Sequence, residues 1–129
     1  MNILFISKYA SPPKYASSSS RLFYLCKEIK QLGHEAMIIT SDANHFTEFP
    51  KTDKIYNYEE QEDVPFFWIK TKKYTKTASL SRILSWIDFE AKLFLMNLKK
   101  IQKPNVVVVS SLSIFTILYG IYLKTKYKC

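Results

Sequence analysis

Four consecutive serines, Ser17, Ser18, Ser19 and Ser20, stand directly before Arg21 and an apolar-periodic run. Hydroxyls beside the free amides of a helix start attract anions, and an arginine in the first turn adds a charged donor for a phosphate or carboxylate. The plainer alternative is a serine N-cap beside a solvated arginine. His45 lies in a polar stretch, where it reads either as a base or phosphate contact or as a solvated loop residue. His34 follows Gly33 and reads as a turn residue at the other end of the strands.

Several kinds of chemistry are excluded. The chain has two glycines, Gly33 and Gly120, so neither a G-x-G-x-x-G nor a G-x-x-x-x-G-K-[ST] phosphate loop exists. Where a phosphoacceptor domain would carry acids after its first strand, this chain has Ser7 and Lys8. The cysteines, Cys26 and Cys129, make neither a disulfide framework nor a zinc spacing. No metal and no cofactor is expected, and no residue is assigned a catalytic role. No signal peptide is read at Met1, and reduced thiols fit a cytoplasmic setting.

The formal charge of +8 calls for an anionic partner or serves solubility. Lys70, Lys72, Lys73, Lys76 and Arg82 lead into an apolar segment with Trp86 and Phe89. That pattern suits an anionic membrane surface, or else a solvated connector before a core helix. Aromatics interleaved with cations, as nucleic-acid binding wants, are absent, so no nucleic acid is expected.

The elements that would position these residues alternate between strand and helix. Residues 2–6 form a short apolar strand and residues 8–20 a loop. Residues 21–32 form a helix with Leu22, Leu25, Ile29 and Leu32 on its core face and Gly33 as C-cap. Residues 35–40 give a second strand. Two short strands are expected at 54–58 and 66–71, divided by the acidic stretch 59–63. Ser79 would cap a helix over 80–100, with a core-facing stripe of Leu80, Ile83, Leu84, Ile87, Ala91, Phe94 or Leu95, Leu98 and Ile101. Trp86, Phe89, Leu93 and Met96 fall outside that stripe. After Pro104, Val106–Val109 reads as a buried strand, 110–113 as a loop and 114–127 as a helix.

The uncharged run 106–123 reaches the lower length limit of a membrane span. Its central serines and β-branched start favour strand–loop–helix instead. The expected fold class is α/β, a Rossmann-like parallel sheet flanked by helices. Ligands of such sheets bind beyond the carboxyl ends of the strands, which selects the loops at 8–20, 41–45 and 110–113.

The opening MNILFISKYASPP, the SSSSR helix start, LGHE, and the later DVPFFWIKTKKY, LSRILSWIDFEAKL and KPNVVVVSSLSIFTILYG, taken in order, resemble the N-terminal part of family 4 retaining glycosyltransferases. The likeness is to bacterial members that build capsule, O-antigen and exopolysaccharide. It implies the N-terminal half of a GT-B fold, spanning residues 1–129, that receives a saccharide or lipid-linked acceptor. The nucleotide-sugar would be held by a C-terminal donor domain with a Glu-x7-Glu motif, which these residues do not include. On this reading the chain is truncated and inactive alone. It would be cytoplasmic, or peripheral on the inner face of the plasma membrane. Ser11–Ser20 would line the cleft, with Ser110 and Ser111 on the same rim. The loop departs from the family pattern in being rich in serine rather than glycine. The alternatives are a membrane-associated subunit of a split glycosyltransferase and a stand-alone α/β binding module.

Overall fold

A computed structural model describes residues 1–16, 20–43, 50, 52–76, 78–110 and 114–129. They form an α/β fold of the Rossmann-like kind, with one five-stranded mixed sheet between helices.

Strand β1 (Asn2–Ile6) is central. It pairs in parallel with β2 (Glu35–Ser41) on one side and β5 (Val106–Val109) on the other. Strand β4 (Val64–Ile69) lies parallel beside β2. Strand β3 (Tyr56–Gln61) closes that flank antiparallel to β4, giving the order β3-β4-β2-β1-β5. The two faces follow from the alternation of side chains along each strand. Phe5, Ile38, Phe66 and Trp68 face helix α1 (Arg21–Gln31). Leu4, Ile6, Ile39, Phe67 and Ile69 face α2 (Leu80–Leu95) and α3 (Ile114–Tyr127).

Gly33 ends α1 as expected. At φ +83 it lets its own amide bond Lys30 O and the His34 amide bond Ile29 O, a Schellman closure. The buried face of α1 is not the expected one, because Leu25 and Leu32 are exposed. Phe23 and Cys26 enter the core, with Leu22 and Ile29 at its margin.

The expected strands at 54–58 and 66–71 are shifted inward to form a tight hairpin. Glu62 and Asp63 take φ 46 and 66 in a two-residue turn, so the acidic stretch belongs to β3 and its turn. An edge strand tolerates such charge. Here Glu59 is also employed, accepting from Tyr15 Oη at 2.7 Å and from Trp68 Nε1 at 2.9 Å.

Helix α2 departs most from expectation. It stops at Leu95, not at residue 100, because Met96 is extended and Asn97 caps a separate short turn, Leu98–Lys100, by accepting from the Lys99 amide. Its orientation is also reversed. Ser85, Phe89, Glu90 and Leu93 are buried, whereas Leu80, Ile83, Leu84, Ile87, Ala91, Phe94 and Leu95 are exposed. The sheet surface offered by Phe67 and Ile69 takes the aromatic and leucine side, and the longer aliphatic stripe faces outward.

The run 106–123 is divided between β5 and α3. Among the described residues no helix is long and apolar enough to cross a membrane. Strand β5 is not buried as expected: it is the last strand of the sheet, and Val106 and Val108 are exposed on the α1 face.

Candidate functional site

The carboxyl ends of β1, β2, β4 and β5 lie along one edge, because these four strands are parallel. Of the expected ligand residues, Ser17, Ser18, Ser19, His45 and Ser111 lie outside the described residues. Ser20 is buried at the start of α1, and its side chain makes no capping bond to the helix amides. Arg21 is exposed in the first turn. Ser110 is half-buried just past β5, its amide bonded to Ile6 O. Ser20 and Ser110 are thus both on the carboxyl edge. His34 is at the opposite edge, with Nδ1 3.4 Å from the Met1 amine.

The described part of the loop after β1, up to Ala16, is packed down rather than open. Lys8, Ala10, Ser11, Tyr15 and Ala16 are all buried. Thr40 of β2 donates to Ala10 O at 2.7 Å, and Ser11 Oγ donates to Ala16 O at 3.0 Å. The chain is folded back on itself, and the backbone groups of Ala10, Pro12, Tyr15 and Ala16 are bonded internally.

This packing assembles a group of residues that sequence reasoning missed. Lys8, at 1% exposure, donates from Nζ to Ala43 O at 3.1 Å. Its ammonium lies 4.9 Å from the Tyr9 ring centre and 5.2 Å from that of Tyr74. Burial pushes its pKa down to about 8, and the Arg82 charge acts in the same direction. Tyr9, Asp42 and Asp88 offset part of that shift.

Tyr9 Oη accepts from Trp86 Nε1 at 2.6 Å and from Arg82 Nε at 3.4 Å. Burial raises the Tyr9 phenol, but hydrogen bonds from Trp86, Arg82 and Tyr74, with the Lys8 charge, bring it below its ordinary value. Arg82 also stacks over Trp86 at 5.2 Å. Arg82 and Trp86 are one helical turn apart on α2, so both point at the β1 loop.

Acidic groups close the rim but are occupied. Asp42 is buried, accepting from the Thr71 amide at 2.9 Å and from Thr52 Oγ1 at 2.7 Å. Asp88 accepts from the Lys72 amide and from Lys92 Nζ, both at 2.8 Å. The result is a cationic, aromatic recess of half-buried Tyr9, Tyr74, Arg82 and Trp86 over a buried lysine. Cations bind phosphate or carboxylate, and aromatic faces bind sugar or other rings. Both carboxylates are engaged in hydrogen bonds within the protein.

Among the described residues no cluster of three or more His, Cys, Asp and Glu could hold a metal. A hollow of about 190 Å³ at the amino edge is lined by Glu35, Met37, Tyr58 and Ile101, far from the loops that a parallel sheet uses for ligands.

The clearest sequence signal for the recess was Lys8-Tyr9 immediately after an apolar strand, with Arg82 and Trp86 at helical spacing. The sequence leaves Arg82, Trp86 and Phe89 either at a membrane-facing surface or on a connector and core helix. In the fold the first two turn to Tyr9 and Phe89 is fully buried. Comparison with known proteins finds no matching family, no similar curated protein and no similar solved structure.

Proposed function

We propose that this chain is the acceptor-side domain of a nucleotide-sugar-dependent glycosyltransferase of the GT-B, family 4 retaining type, serving cell-surface polysaccharide synthesis. The observation that carries the reading is the recess of Lys8, Tyr9, Arg82 and Trp86 on the carboxyl edge of a parallel sheet. An acceptor with a phosphate beside a sugar matches that pairing of cations with aromatic faces. The engaged state of Asp42 and Asp88 accords with a domain that binds and leaves catalysis and the nucleotide-sugar to a donor domain. On this reading a domain in this role transfers no sugar without its donor domain. It works on the cytoplasmic side, held peripherally at the inner face of the plasma membrane.

Titrating the chain with a polyprenyl-pyrophosphate-linked saccharide in detergent, and separately with nucleotide-sugars, tests this reading through Trp86 fluorescence. The acceptor should bind, and Lys8→Met and Arg82→Ala should each weaken it about tenfold or more, the scale of a lost charged hydrogen bond. Tight nucleotide-sugar binding by this chain would overturn the division of roles. Binding of neither ligand would leave a stand-alone module as the better description.

A further inference from the structure

We infer that the hollow at the amino edge of the sheet is a binding site for a small organic cation, an ammonium group borne on a ring-sized apolar body. This inference is independent of the glycosyltransferase reading, and its residues lie at the opposite edge from Lys8 and Tyr9.

The hollow is held in shape by the fold itself. Leu4, Met37 and Ile101 line it, and Leu4 and Ile101 belong to the core beneath α2 and α3. Tyr58 lines one side, its ring 5.8 Å from that of Phe67 in an edge-to-face contact. Residues 101–104, which line another side, are tied to the start of β1 by two asparagines. The Asn2 amide donates to Asn105 Oδ1 and the Asn105 amide to Asn2 O, both at 2.8 Å, while Asn2 Nδ2 donates to Lys103 O at 3.3 Å. Preformed hollows with an apolar lining and a few convergent polar groups are the usual form of a small-molecule site. The volume of about 190 Å³ exceeds the roughly 150 Å³ that admits a benzene ring.

Charge selects the ligand. Glu35 and Glu60 line the hollow, and both are exposed at its mouth. Lys30 is the one cation among the described lining residues, and it is already engaged. Its Nζ donates to Asp63 O at 2.6 Å and stands 3.8 Å from Glu35. Glu60 accepts from Tyr58 Oη at 2.9 Å, and among the described residues no lysine or arginine pairs with it. That bond keeps the carboxylate beside the phenol, so an aromatic face and a negative charge are offered together, the two features that an ammonium on an apolar body answers. An anion would meet both carboxylates. A metal ion would want a further ligand, and among the described residues no cluster of three or more His, Cys, Asp and Glu exists. The chain as a whole is basic, but residues 59–63 hold four acids and no base, and the more distant lysines are screened by salt.

The probe is phenethylammonium, compared with phenethyl alcohol and hydrocinnamate, which keep the ring and replace the ammonium by a hydroxyl or a carboxylate. Amide shifts of the isotope-labelled whole chain are followed by NMR. The ammonium should give saturable shifts at Met37, Tyr58 and Gln102 and bind about tenfold more tightly than the alcohol, the scale of a charged hydrogen bond. Hydrocinnamate should not bind. Glu60→Gln should weaken the ammonium about tenfold, and Glu60→Lys should turn the preference toward hydrocinnamate, both with unchanged circular dichroism, because the side chain is exposed. Lys8→Met should bind the probe as the parent does, which separates this hollow from the recess at the carboxyl edge. The inference is overturned if the ammonium gives no saturable shifts, if the three probes bind alike, or if Glu60→Gln binds as the parent does. Shifts centred on Tyr9 and Trp86 would overturn it in favour of the recess.

Discussion

Trp86 donates its indole N–H to the Tyr9 hydroxyl at 2.6 Å, joining α2 to the loop after β1 across 77 residues of sequence. Because Arg82 reaches the same oxygen, one phenol orients both α2 side chains of the recess.

Tyr9→Phe removes that acceptor. The variant should fold, lose about 1 kcal/mol of stability, and change the emission of Trp86, since the half-buried indole must turn to water. Urea unfolding followed by fluorescence checks both. An unchanged spectrum and midpoint would show that the bond does not hold in solution.

Lys8 makes stability depend on pH. Its folded pKa is lowered to about 8, whereas an unfolded lysine keeps its proton to about 10.4. Between these values the unfolded chain binds more protons, so stability should rise with pH through that window. Below it both states are protonated and the cost of the buried charge is complete. Lys8→Met should flatten this rise and be about 1–2 kcal/mol more stable at neutral pH, as when a buried charge is replaced by an apolar group. Denaturation at a series of pH values decides it.

Glu90 behaves with the opposite slope. Burial raises its pKa, and the hydrogen bond from Thr116 Oγ1 offsets part of the effect. The other carboxylate oxygen, Oε2, has no hydrogen-bond partner among the described residues. The folded state therefore holds the proton more tightly, and stability should fall as pH rises from the unfolded value of about 4.3 through the raised folded value. Glu90→Gln keeps an acceptor for Thr116 and removes the charge. It should gain about 1 kcal/mol at neutral pH and lose the acid-side slope, both measurable by thermal melts from pH 4 upward.

Gly120 lets α3 approach β5. A Cβ there would lie 2.9 Å from Val109 Cγ1. Gly120→Ala gains about 1 kcal/mol of helix propensity but should still melt lower, since overpacking costs about 1–3 kcal/mol. Combining it with Val109→Ala should recover part of the loss, and a double-mutant cycle measures that coupling.

The strand–helix order was legible because Val106–Val109 and the segments around Asn2–Ile6 and Glu35–Ser41 are short apolar runs bounded by polar breaks. Gly33 was legible because a left-handed helix end has few alternatives. The faces of α1 and α2 were not. In α2 apolar residues occupy most of the circumference, so periodicity could not decide whether Ile87 or Phe89 meets the sheet. That choice belongs to the tertiary surface of Phe67 and Ile69. The recess escaped for a related reason: Tyr9 and Trp86 are distant in sequence, and only the reversed rotation of α2 brings Arg82 and Trp86 over Lys8. The loop after β1 looked open because serine and proline composition does not reveal that Thr40 would fasten it down.

Strand β5 also has consequences for handling the molecule. Its four valines end the sheet, and among the described residues no strand pairs with its outer side. Such a ladder is a template for cross-β growth between molecules. The net charge of +8 keeps molecules apart at low ionic strength. Concentrated salt screens that repulsion, so fibril formation should be fastest in the buffers usually chosen to keep basic proteins dissolved.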